Sequence, residues 1–239
     1  MTDQMPGGAT RGRRGVLLLA SVVAVIGVIL IVVGVRAQQR APHPHDAGRI
    51  QPDPPATGHP ATGSGSSGSS TPRRGRGPLG PSRPVRIQIP AIGVNTPVNP
   101  IGLAPDGTLA VPQPGPHLNQ AAWFKNSPTP GQPGPAIIEG HVDSVQGVSV
   151  FFRLGAIKPG DTIQVRRADG VRVTFTVNAV RDFKKASFPT KVVYGGDLST
   201  PQLRLITCSD FDESLHHHVG NEVVFSHLTH VDRPSGRSR

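Results

Sequence analysis

The sequence predicts an all-β domain, a barrel or a sandwich, over residues 84–231. Three observations support this fold class. Short apolar runs alternate with polar residues at a period of two, as half-buried strands do. Pro and Gly separate these runs about every 8–12 residues, and an Asp-Gly pair joins two long alternating runs. At 148 residues, this stretch is long enough to bury a core of its own.

Seven or eight strands are expected along this domain. The runs that predict most of them are, in chain order, VRIQIPAIGV (85–94), the end of DGTLAVP (106–112), PAIIEGHV (135–142), the two halves of DTIQVRRADGVRVTFTVNAVRDF (161–183), QLRLITC (202–208) and NEVVFSHL (221–228). Asp169-Gly170 predicts a tight hairpin turn inside the longest run. Residues 149–161 predict one short helical turn that ends at Gly160, and Trp123 and Phe124 are expected in the core.

A long apolar segment precedes the domain. Residues 15–35 are 21 residues without a charge, enough for a helix to cross a hydrocarbon core of about 30 Å. A cleavable signal peptide is the alternative, but its apolar stretch is usually about 7–15 residues long. The sequence therefore favours an uncleaved membrane anchor. Residues 1–14 are expected as a short cytoplasmic tail, with the larger C-terminal part outside the cell.

Residues 36–83 are rich in Pro, Gly and Ser and predict a disordered linker. Residues 232–239 predict a flexible tail. The linker and the two segments before it hold ten of the 25 Lys and Arg residues but only three of the 15 Asp and Glu residues. Most of the net charge of +10 therefore lies outside the foldable part. With 4% aromatic residues and no basic stripe, the composition argues against nucleic-acid binding.

Cys208 is the only cysteine in the chain, which excludes an internal disulfide and a zinc site built on several thiolates. It lies at the end of one apolar run, and His141 lies at the end of another. A buried structural cysteine is the alternative, since free cysteine usually packs as a small hydrophobe. A thiol and an imidazole at two strand ends instead suggest an acyl-transfer pair. The three histidines of 216–218 predict a loop that lines a groove, and we expect no metal site.

The segments LITC and GHVDS together resemble the sortase signature, a strand-end TC motif with an upstream H-x-D-S motif. The match covers about residues 84–229 and is most similar to class F sortases of Gram-positive, high-GC bacteria. The resemblance implies a closed β-barrel preceded by an anchor and a linker. It also implies a cell-membrane protein with an extracellular catalytic domain and no cofactor.

The resemblance also implies the chemistry. Cys208 would attack the Thr carbonyl of an LPxTG-type sorting signal and form a thioacyl-enzyme, and Thr207 would contact the substrate. His141 would exchange protons with the departing and incoming amines, the second belonging to a peptidoglycan precursor, and Asp143 would orient it. The partners implied are therefore sorting-signal proteins, a cell-wall amine and membrane lipid.

The chain departs from the family at one position. Sortases use an Arg about thirteen residues after the Cys, where this chain has Asn221. Asn221 would donate a hydrogen bond there without a charge, and Arg204, on the Cys208 face of its strand, is a second candidate. Two other functions stay open: a thiol hydrolase with water as the acceptor, and a weakly active or non-enzymatic wall-binding domain.

Overall fold

We describe a computed structural model of the chain over residues 41–42, 46–50, 79–144 and 146–234. The predicted tail at 1–14, the membrane segment at 15–35 and most of the linker lie outside the described residues. Eleven strands and one short α-helix are present in the described part. They are β1 Ala47–Gly48, β2 Pro84–Ile89, β3 Val94–Ile101, β4 Ala121–Phe124, β5 Gly134–Glu139, β6 Asp143–Ser144, β7 Gly147–Val148, β8 Thr162–Arg167, β9 Arg172–Lys184, α1 Thr190–Val193, β10 Pro201–Asp212 and β11 His217–Asp232.

Eight strands close into a mixed barrel. The hydrogen-bonded order is β9-β11-β10-β5-β4-β3-β2-β8, and β8 pairs again with β9 to complete the circle. Two neighbouring pairs are parallel, β5 with β10 and β3 with β4, and the others are antiparallel. The predicted hairpin at Asp169-Gly170 joins β8 to β9. The predicted barrel and its strand number are therefore confirmed. The predicted helical turn is present as a 3-10 turn at Leu154–Ala156, which ends four residues before Gly160.

The barrel interior is filled by alternate residues of all eight strands. Phe175 of β9, Leu203 and Leu205 of β10, and Val224 of β11 belong to this buried cluster. Burial of this apolar surface is the main stabilising contribution to the fold. Trp123 is part of the same cluster, as the sequence predicts.

A second, smaller apolar cluster covers the outer face of β5, β9, β10 and β11. Ile137, Ile206 and Phe225 project outward from the barrel and pack beneath Val193 of α1. Phe124 and Tyr194 pack at the edge of this cluster, with their ring centroids 6.5 Å apart. A helix and a loop therefore lie over one side of the barrel and create a recess there.

Three details differ from the sequence prediction. The run at 106–112 forms only an isolated bridge between Leu103 and Leu109 instead of a strand. Residues 47 and 48, inside the predicted linker, pair with β9 because Arg181 donates hydrogen bonds to both of their carbonyl oxygens. Contacts with the barrel also begin before residue 84, where the nitrogen of Leu79 donates to the carbonyl oxygen of Gly131. No helix in the described part of the chain has the length and apolarity needed to cross a membrane.

Candidate active site

The ends of two neighbouring parallel strands bring Cys208 and His141 to the same edge of the barrel. Ile206 of β10 is in register with Glu139 of β5, so Cys208 and His141 each lie two residues farther along. Thr207 Oγ1 donates a 2.8 Å hydrogen bond to the carbonyl oxygen of Gly140, and this bond ties the two strand ends together. The parallel register therefore brings together two motifs that are 67 residues apart in the sequence.

A cavity of about 660 Å³ opens at this edge on the outer face of the barrel. Cys208, His141, Asn221 and Thr207, four of the five predicted site residues, line it. Its remaining walls are mainly apolar and come from three loops and the strand faces: Leu103, Leu109, Val111, Pro112, Phe124, Phe188, Thr190, Tyr194 and Ile206. A partly apolar recess of this size is typical of a ligand-binding site.

The thiol of Cys208 is half-buried and faces a cation. Lys185 lies just after β9, and its Nζ donates a hydrogen bond to Cys208 Sγ at 3.6 Å. Asn221 of β11 is directly opposite Cys208 in the antiparallel register. An ammonium group at this position can donate a hydrogen bond to a sulfur nucleophile.

The imidazole of His141 is oriented by the backbone. Its Nε2 is 2.8 Å from the carbonyl oxygen of Pro112, and a carbonyl only accepts, so Nε2 carries a hydrogen. In the described residues no hydrogen bond joins His141 to Cys208. Gly140 allows Val150 to pack closely against the strand end, because a Cβ at this position would lie 2.6 Å from a methyl carbon of Val150.

The histidines of the predicted groove loop have other contacts. His217 and His218 begin β11 instead of forming a loop. His218 Nε2 lies 3.1 Å from Asp143 Oδ1, so the carboxylate expected to orient His141 contacts a different histidine. None of the three histidines lines the cavity. Among the described residues, no group of three or more His, Cys, Asp or Glu is arranged to hold a metal ion.

The structure places Arg204 away from the cavity. Although it shares the outward face of β10 with Cys208, it is only 2% exposed, and its guanidinium lies 4.6 Å from the ring centroid of Phe225. It also donates to the side-chain oxygen of Gln202, and burial lowers its pKa to about 10. Arg204 therefore packs in the wall beneath the site and does not reach a substrate in the cavity.

A buried carboxyl group lines the cavity. Glu139, the last residue of β5, is 7% exposed, and its Oε1 has no hydrogen-bond partner within the described part of the chain. Burial raises its pKa to about 8. Nearby Tyr194 has a raised pKa because it is buried and because the carboxylate of Glu139 repels its ionised form.

A family model for the Sortase domain matches residues 87–231, well over half of the chain. The chain belongs to the sortase family. Sortases are a family of cysteine transpeptidases. No curated protein matches the chain.

Solved structures of sortases are similar to the chain at low sequence identity. Sortase A from Corynebacterium diphtheriae is 20% identical with a TM-score of 0.48, and the match covers 65% of this chain and 64% of that one. Sortase A from Listeria monocytogenes is 17% identical with a TM-score of 0.48, over 64% and 91% of the two chains. Sortase C-1 from Actinomyces oris is 20% identical with a TM-score of 0.48, over 61% and 73%. The chain thus spans slightly less than two thirds of the Corynebacterium chain.

Sequence reasoning missed two residues of the cavity, Lys185 and Glu139. Lys185 lies in a polar loop with no motif of its own, and only the fold brings it to Cys208. Glu139 did carry a signal, because it is the one charged residue of the run PAIIEG, whose residues are otherwise apolar or Gly and Pro. A charge at an outward position of a buried strand marks either a paired group or a binding group.

Proposed function

We propose that the chain is a class F sortase that cleaves an LPxTG-type sorting signal and transfers the protein to an amine of a peptidoglycan precursor. The observation that carries this proposal is the shared cavity, which Cys208, His141 and Asn221 all line. The resemblance of the TC and H-x-D-S motifs supports the class F assignment and the sorting signal. The apolar walls support an extended peptide as the donor substrate.

Cys208 Sγ attacks the carbonyl carbon of the Thr in the sorting signal. The thiolate is the form of a cysteine that attacks, and an ammonium group can donate a hydrogen bond to it. Lys185 supplies this group, with its Nζ 3.6 Å from the sulfur. In this chain the cation near the nucleophile therefore comes from the segment after β9, while the β11 position where sortases have an Arg is Asn221.

His141 transfers protons through Nδ1, since Nε2 is held by the oxygen of Pro112. When the C–N bond to the following Gly breaks, Nδ1 of the imidazolium gives its proton to the departing nitrogen. In the second step the incoming amine nitrogen bonds to the thioester carbon, the C–S bond breaks, and Nδ1 takes the proton that this nitrogen loses. The imidazole is thus an acid and then a base at one nitrogen.

Asn221 is placed to act on the oxyanion. It is in register with Cys208, and its side-chain amide can donate a hydrogen bond to the oxygen that becomes negative during attack. Thr207 holds the strand ends in register through Gly140 and contributes to the substrate wall. Arg204 has no part in this mechanism because it is buried against Phe225.

We further propose that residues 15–35 anchor the chain in the cell membrane as a single pass, with the N-terminus cytoplasmic and the catalytic domain extracellular. The uncharged length of this segment supports the anchor. A variant that lacks residues 1–35 is expected in the soluble fraction of cells, with the full chain in the membrane fraction. Equal distribution of the two would contradict the anchor.

Mass spectrometry of the full chain after incubation with a sorting-signal peptide tests the proposed function. We expect an added mass equal to the peptide up to its Thr, on Cys208, and no adduct on the Cys208→Ala variant. With an amine acceptor present, the ligated peptide should form at the expense of the hydrolysed one. An adduct that breaks down at the same rate with and without the amine would identify a thiol hydrolase. If no sorting peptide forms an adduct, a wall-binding domain is favoured.

A further inference from the structure

The carboxyl group of Glu139 is a buried polar group in the cavity without a protein partner. Its residue is 7% exposed and its Oε1 makes no hydrogen bond with any described residue. Burying a carboxyl group without a partner is unfavourable, and an apolar residue in its place would pack at least as well. A group retained under these conditions at the wall of a cavity is a candidate for binding a ligand.

The other titratable side chains that line the cavity leave this carboxyl without a counterion. They are Tyr194, Lys185, His141 and Cys208. Lys185 donates to Cys208, and His141 donates to Pro112. Neither of these two cation-forming groups contacts Glu139 in the described structure. Among the described residues, the carboxyl therefore has no counterion, and a ligand in the cavity can supply one.

We propose that Glu139 binds a cationic side chain, Lys or Arg, at the variable residue directly before the scissile Thr of the sorting signal. This inference rests on the proposed function. Glu139 is in register with Ile206, two residues before Cys208 on β10. Because a strand rises about 3.3 Å per residue, Glu139 lies roughly 7 Å along the strands from the level of the reacting carbon.

This offset distinguishes the donor peptide from the acceptor amine. The attacking amine nitrogen has to contact the thioester carbon on Cys208, and a group held two residues away along the strands is not at that carbon. A side chain of the donor peptide, held by the thioester bond to Cys208, can lie over Ile206 and reach Glu139. A charge-assisted hydrogen bond in this apolar recess would be strong.

Binding of a cation to Glu139 should also release a proton from its carboxyl group. The pKa of Glu139 is about 8, so the free carboxyl is mostly protonated at pH 7. A bound cation favours the ionised form, so the peptide releases a proton as it binds. Its affinity should rise with pH up to about 8 and then level off. A peptide that instead accepts a hydrogen bond from the neutral carboxyl would release no proton and would bind more weakly above pH 8.

Calorimetry on the full chain carrying Cys208→Ala separates binding from chemistry. The variable residue directly before Thr is either Lys or norleucine, which has a similar length and no charge. We expect the Lys peptide to bind about tenfold or more tightly. At pH 7 it should release close to one proton more than the norleucine peptide, as measured in buffers of different ionisation enthalpy.

Two further variants identify the group responsible. Glu139→Gln on the Cys208→Ala background should bind both peptides equally and lose the extra proton release. Glu222→Gln, which changes a buried carboxyl of similarly raised pKa on the opposite face of the sheet, should keep the preference. No preference for the Lys peptide, or a preference that survives Glu139→Gln, would overturn the inference. A Lys preference in binding without a thioacyl adduct on the unchanged chain would instead reject the proposed function alone.

Discussion

The two faces of β5, β10 and β11 have different roles. The inward residues, such as Leu205 and Val224, fill the barrel, whereas the outward residues at the strand ends include Cys208 and Asn221. Successive side chains alternate between the faces, so one strand serves both roles without compromise. The reactive group lies outside the core, where a substrate can reach it and where a polar substitution does not disturb the interior packing.

Glu139 and Glu222 show the same contrast for one residue type. Each has an Oε1 without a hydrogen-bond partner among the described residues, and burial raises the pKa of each to about 8. Glu139 faces the cavity, where a ligand can supply a partner. Glu222 is on the face of Val224, beside Gly155, where the carboxylate of Asp182 raises its pKa further. Equal burial therefore has different consequences on the two faces.

The largest expected effect comes from the outward face. Cys208→Ala should lower the rate of sorting-peptide cleavage by at least about 10⁴-fold, because the covalent intermediate cannot form. The free energy of unfolding, measured with urea, should change by less than about 1 kcal/mol, since the thiol is half-buried at a strand end. A variant that loses both activity and stability would show that Cys208 is a core residue.

Leu205→Ala tests the inward face of the same strand. Leu205 is fully buried in the barrel, so its truncation should lower the free energy of unfolding by about 2–5 kcal/mol. At a temperature where the variant stays folded, cleavage should remain within a few-fold of the unchanged chain. Urea unfolding and peptide cleavage on one preparation measure both quantities. A large loss of activity in the folded variant would mean that the two faces are not independent.

Much of this contrast could be predicted from the sequence because it rests on local periodicity. The alternation in LRLITC fixes which residues share a face, and the strand ends fix where the polar groups lie. The placement of Cys208 beside His141 needed the paired motifs, since periodicity alone does not reveal which strands are neighbours. The parallel register of β5 and β10 then gives both residues the same height.

The remaining site residues depend on contacts between distant segments. Lys185 reaches Cys208 only because β9 ends at the same edge as β10, with β11 between them. The contacts of Arg204 were not predicted either, because a charged residue in a strand is usually solvated, whereas this one lies over Phe225. Residues 106–112 have the composition of a strand, but in the structure they form only the isolated bridge between Leu103 and Leu109.

The pH dependence of stability sharpens the comparison of the two glutamates. Each carboxyl has a pKa near 4.5 in the unfolded chain and about 8 when folded, so the folded chain keeps protons that the unfolded chain releases. Their contribution to stability is fully present below pH 4.5 and is lost as the pH rises to about 8, by at most about 1.4 kcal/mol per pH unit for each group.

Urea unfolding between pH 5 and 8 measures this slope. Glu139→Gln and Glu222→Gln should each make the slope less steep, and the double variant should reduce it most. A cationic peptide should reduce the part due to Glu139 and leave the part due to Glu222 unchanged. If neither variant changes the slope, other groups account for the pH dependence of stability.

The smallest expected effect concerns the cation beside the thiol. Lys185 is exposed, so solvent screens its charge, and Lys185→Met should slow alkylation of Cys208 at pH 7 by roughly two- to fivefold at most. Lys185→Arg keeps the charge and should retain most of the rate. Lys184→Met is the matched control, because this neighbour is also exposed and does not line the cavity. Iodoacetamide labelling followed by mass spectrometry gives the rates.

Labelling needs no substrate, so it tests Lys185 separately from sorting-peptide cleavage. Equal labelling rates in all three variants would remove Lys185 from the mechanism, even if cleavage were impaired. Asn221 would then act without a nearby charge.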